Sequence, residues 1–128
     1  MEVTMGNLFA IVGAVAMLSQ QPAAAAESWK PVPRMSGQEF VQRFFNGKDI
    51  PLGQQTTKMM VERELALGYV AGVADAAQGT QWCDKGLVKS VEIDAELAHA
   101  LRKLPQDTLQ QNAGKLIIEQ LKKRFPCD

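Results

Sequence analysis

The sequence predicts an all-α fold, a small bundle of about four helices closed by one intramolecular disulfide. Three observations predict it. Four segments place apolar residues at helical spacing. Caps or breakers bound those segments, and no stretch sustains the alternation of a strand. The two cysteines, Cys83 and Cys127, both lie beyond an N-terminal leader. An even cysteine count in an exported chain favours a bridge.

The leader comes first. Residues 8–18, "LFAIVGAVAML", are continuously apolar but fall short of the ~20 residues that span a bilayer. "SQQPAAAAES" follows, and Ala24-x-Ala26 is the small-x-small pair that signal peptidase reads. Residues 1–26 are therefore expected to be a signal peptide cleaved near Ala26. The leading "MEVTMGN" carries no Lys or Arg, which is unusual for such a leader. Export to the periplasm, with no stable membrane span, is the expectation.

Residues 27–35, "ESWKPVPRM", form an extended lead-in, because Pro31 and Pro33 disfavour helix. The helical domain is expected over 36–128. Its first helix starts at Ser36, with Glu39 three residues on, a capping box. Phe40 and Phe44 share one face, and Asn46-Gly47 ends the helix. Pro51 and Gly53 mark a loop.

The second helix starts near Thr56 or Thr57 and is closed by Gly79. Val61, Gly68, Gly72 and Asp75 fall on one stripe, while Met59, Leu67, Tyr69, Val70 and Ala74 cover the rest. A helix apolar nearly all round is expected to be central and buried. Each mid-helix glycine costs about 1 kcal/mol against alanine. Gly68 and Gly72 are therefore expected to admit a neighbouring helix, with Asp75 bonded at the same seam. Gly72→Leu should then destabilise by overpacking. Asp75 reads as a satisfied structural aspartate or as a partner-binding residue.

Residues 80–94 read as irregular, with a short extended piece at Leu87–Val91. The third helix is expected from an Asp94 N-cap, with Leu97, Ala98, Leu101 and Leu104 inward, and Pro105 breaks it. The fourth is expected from Asp107, with Leu109, Ala113, Leu116, Ile117 and Leu121 on one face. Lys122, Lys123 and Arg124 suit its C-terminal dipole, and Pro126 stops it before Cys127.

Function is less legible. Fourteen basic and fourteen acidic residues cancel, so no nucleic-acid groove is expected. Glu96 and His99 have metal-ligand spacing, but without a second pair they read as ordinary helix residues. Cys83 with His99, the sole histidine, makes a poor nucleophile pair, since nothing local orients it. No triad, metal cluster or cofactor loop is apparent, so neither an enzyme nor a bound cofactor is expected. Binding function tends to sit in irregular segments, which singles out Gln81, Trp82, Asp84 and Lys85. Trp82 can equally serve as core cover for the bridge.

"GYVAGVADA" at 68–76, Cys83, the helix ending "LP" at 104–105 and the closing "RFPC" at 124–127 resemble the Rap/Tai immunity proteins over roughly residues 36–127. Many members carry a second cysteine pair that is missing here. The resemblance implies a small periplasmic helical protein, commonly a homodimer. Such a protein occludes the active site of a peptidoglycan amidase delivered by type VI secretion. The alternative of another class is a periplasmic chaperone or stress protein of small, helical, disulfide-bonded type. That protein would expose apolar surface at low pH.

Overall fold

A computed structural model describes residues 32–86 and 89–128, all within one compact unit, Pro31–Asp128. The leader and its cleavage site lie outside the described residues, as do Leu87 and Val88. The first helix, α1, is Gly37–Phe45. Its capping box forms as expected: Glu39 N–H donates to Ser36 Oγ at 3.1 Å, and Ser36 N–H donates to Glu39 Oε2 at 3.0 Å. Phe40 and Phe44 are buried, and Gly47 takes a positive φ just past the Asn46 cap. A 3-10 turn at Leu52–Gln54 follows. Gln55 holds this loop by donating to the carbonyls of Gly47 and Ile50.

The second helix, α2, runs Thr57–Ala77, and Thr56 caps it by accepting from Met59 N–H. It is not buried all round. Only Ala66, Val70 and Ala77 are fully inside, while Val61 and Leu65 are each 52% exposed. The sequence expectation of a helix buried on every face is corrected here, although α2 does pack against α1, α3 and α5. Alanine and glycine make most of α2 apolar, but a small side chain does not need burial to be tolerated.

The third helix, α3, is Ser90–Arg102, so it starts before Asp94, which lies inside it rather than capping it. Ile93 explains the difference, because it packs in the core one turn before Leu97 and extends the apolar face upstream. Ser90 and Val91 are helical, not extended.

The expected fourth helix divides into α4, Gln106–Leu109, and α5, Ala113–Arg124. The break has a clear cause. Gly37 N–H donates to Gln111 C=O at 2.9 Å and Ala113 N–H to Met35 C=O at 2.9 Å, so this backbone bonds to the lead-in of α1. Asn112 then caps α5 by accepting from Lys115 N–H.

The core gathers Phe40, Val70, Leu97, Leu101, Leu116, Ile117 and Leu121 between α1, α2, α3 and α5. The described residues contain helices and two isolated bridges but no strand. Tight helix approach occurs at other glycines than those expected. A Cβ on Gly37 would meet Leu116 Cδ1 at 2.7 Å, and one on Gly114 would meet Tyr69 Oη at 3.2 Å.

Candidate functional site

The connection after α2 is short and firmly held. Gly79, at φ 80°, turns the chain, and its N–H donates to Trp82 C=O at 2.7 Å. That turn drives the Trp82 indole inward, where it is 4% exposed and its Nε1–H donates to Ala74 C=O at 2.7 Å. The indole is a second donor to that carbonyl, which also accepts from Gln78 N–H at 3.0 Å. Phe125 packs against the indole at a tilt, with ring centroids 6.0 Å apart.

Next, Cys83 bonds Cys127 with Cα atoms 4.9 Å apart, within the usual range for a bridge. Cys83 N–H also donates to Phe125 C=O at 2.9 Å. The chain then turns outward. Asp84 accepts from Gly86 N–H at 2.8 Å, and Lys85 meets the Asp128 carboxylate at 2.9 Å. The Lys85 bond and charge hold the Asp128 carboxyl below its usual range.

Of the residues read from the sequence, Gln81 and Lys85 are exposed, Asp84 is half-buried and Trp82 is inside. Trp82 therefore shapes the loop from inside and presents almost no surface of its own. Phe125 and Asp128 belong to the same corner, although sequence reading did not single them out. The bridge itself was the available signal, since closing Cys83 on Cys127 carries the tail to this loop.

Beside the loop, a cleft is lined by Asp75, Asp84 and Asp94, with Trp82 at its base. Partial burial pushes the Asp94 carboxyl up from its ordinary value. Asp75 is exposed on the helix surface, and so are Gly68 and Gly72. A Cβ on either glycine would meet nothing within 4 Å. No described helix of this chain therefore packs on Gly68 and Gly72, and the neighbouring helix expected there is not one of these.

Glu96 pairs with Arg124 and is not drawn toward His99. His99 lies edge-on to Phe45 at 5.0 Å and near Arg102. Desolvation first, then the charges of Lys48, Arg102 and Lys103, hold its imidazole below the usual value. Among the described residues no three His, Cys, Asp or Glu side chains are arranged to hold a metal. None of the described helices is long and apolar enough to cross a membrane.

A cap-bounded helical frame with one disulfide and one stapled surface loop defines a small all-α, disulfide-closed domain. Its disulfide fits an exported protein. The chain belongs to the Rap1a immunity proteins, whose family model matches residues 36–127. Membership indicates an effector-immunity function, in which the chain binds a protein effector, and immunity families are not typically enzymatic. No curated protein matches the chain.

Proposed function

We propose that this protein is a periplasmic immunity protein that neutralises a peptidoglycan amidase effector of type VI secretion by covering its active site. It is exported by the leader at 1–26, cleaved near Ala26, and acts as a homodimer. The carrying observation is the family match over residues 36–127. The stapled loop supports the mechanism. Occlusion needs a protrusion that does not yield when pushed into a cleft, and pre-ordering reduces the entropy lost on binding. Here the base of the loop is fixed by the disulfide, the Cys83–Phe125 bond and the buried indole. Gln81, Asp84 and Lys85 are the side chains closest to such a partner, and this chain makes and breaks no bond.

The test is growth rescue. Co-expression with an amidase effector encoded beside it should restore growth of a sensitive strain. Gln81→Ala combined with Lys85→Ala should weaken rescue while lowering the melting temperature only slightly, since the exposed Lys85–Asp128 pair contributes little to stability. A chain that binds no amidase, yet exposes apolar surface and prevents aggregation of clients at low pH, would establish the chaperone reading instead.

A further inference from the structure

One face of α2 is exposed along its length, and only Asp75, near its C-terminal end, borders the cleft beside the loop. Lys58, Val61, Leu65, Gly68, Gly72 and Asp75 lie along it, spaced alternately three and four apart, the repeat of a helix-pairing seam. All six are exposed. The opposite face holds Ala66, Val70 and Ala77 in the core, so the seam points outward.

The order of chemistry along the seam is self-complementary. It reads cation, apolar, apolar, glycine, glycine, anion. A second copy laid antiparallel, with its two-fold axis between Ala66 and Leu67, brings three pairs together in one register. Leu65 faces Gly68, Val61 faces Gly72, and Lys58 faces Asp75. The two-fold repeats each pair. Each glycine leaves open space where the opposing branched side chain needs a hole. Lys58 is free to turn, because its nearest charge partner, Glu62, is 4.0 Å away and the lysine side chain is 82% exposed. The Asp75 carboxylate accepts no hydrogen bond among those of the described residues. A parallel copy would set Lys58 against Lys58, Asp75 against Asp75, and leave the glycines facing each other over a void. Charge and shape therefore favour the same arrangement.

We propose that this face of α2 docks a second copy of the chain, antiparallel, in that register. The proposal supplies the interface for the homodimer of the functional reading. It does not depend on which effector is bound.

Sedimentation of the disulfide-intact protein tests it. The native chain should be a dimer. Lys58→Asp alone and Asp75→Lys alone should each weaken the dimer by about tenfold or more, since like charges then meet. An equal mixture of these two variants should recover it, because each supplies the charge that the other has lost. Gly68→Leu should abolish the dimer, and its helical circular dichroism and melting temperature should show that it folds. A native chain that stays monomeric at every concentration would overturn the proposal. So would a dimer that survives Gly68→Leu, or folded charge variants whose mixture shows no recovery. The readout is mass, so a failed amidase assay does not alter its meaning.

Discussion

A methyl group added at Gly37 would press on Leu116 Cδ1 at 2.7 Å, whereas one added at Gly72 would meet nothing within 4 Å. The two glycines therefore respond in opposite directions to the same change. Gly37→Ala should destabilise by about 1–3 kcal/mol, because Leu116 and Leu109 surround the site. Gly72→Ala should stabilise the isolated chain by about 1 kcal/mol, since it relieves only the helix cost of glycine. Urea unfolding of dilute protein checks both. The sequence expectation for Gly72→Leu, loss by overpacking, does not hold within one chain. Asp94 gives a pH prediction at the same scale. Its folded carboxyl binds a proton more firmly than the unfolded one, because partial burial disfavours the charge. The penalty is absent in acid, where both states are protonated. It appears as pH rises through the unfolded and then the folded value. Asp94→Asn should therefore raise the melting temperature at neutral pH, and the gain should vanish below the ordinary carboxylate range. A gain that persists in strong acid would point to a cause other than ionisation.

The helices differ in how openly the sequence announces them. The start of α1 is legible because Ser36 and Glu39 satisfy each other's backbone within a single turn. The core face of α3 is legible too, since Leu97, Ala98 and Leu101 share its helical spacing. The split between α4 and α5 is not, because its cause lies at Met35 and Gly37, far back in the chain. The orientation of α2 is hidden for another reason. Its small residues make every face look burial-ready, so periodicity does not say which face meets the core. The candidate loop is legible as an irregular stretch with a cysteine near its start. The inward turn of Trp82 was not, since it depends on Ala74 C=O and the Phe125 ring. These elements make a direct prediction about caps. Asn112 accepts from Lys115 N–H just where the backbone leaves the path of a continuous helix. Asn112→Ala should cost about 1 kcal/mol of unfolding free energy. Little change would mean that the bonds to Met35 and Gly37 suffice to start α5.

For the whole molecule, the disulfide joins positions 44 apart in sequence and encloses α3, α4 and α5 in one loop. Loop-closure entropy assigns a bridge of that span about 4 kcal/mol, acting through the unfolded chain. Two other ties act in the folded state at the same corner: Cys83 N–H to Phe125 C=O, and Lys85 to Asp128. The two contributions leave different traces in hydrogen exchange. A purely unfolded-state effect lowers the opening free energy of globally exchanging amides by one common amount. Loss of a native anchor adds a further local loss at Cys83 and its neighbours. Replacing both cysteines, with Cys83→Ala and Cys127→Ala, should lower the unfolding free energy by up to about 4 kcal/mol. The amides of Leu97 and Ile117, deep in the core, should report that global loss. The amide at position 83 should exchange faster than the global loss accounts for, because its partner Phe125 is no longer held opposite by the neighbouring bridge. The loop would then be loosened in molecules that are still folded, and grip on an effector should fall before the fold does. Equal losses at all three positions would instead show that the tail stays docked through Trp82 and Phe125 alone, with the disulfide acting only on the unfolded chain.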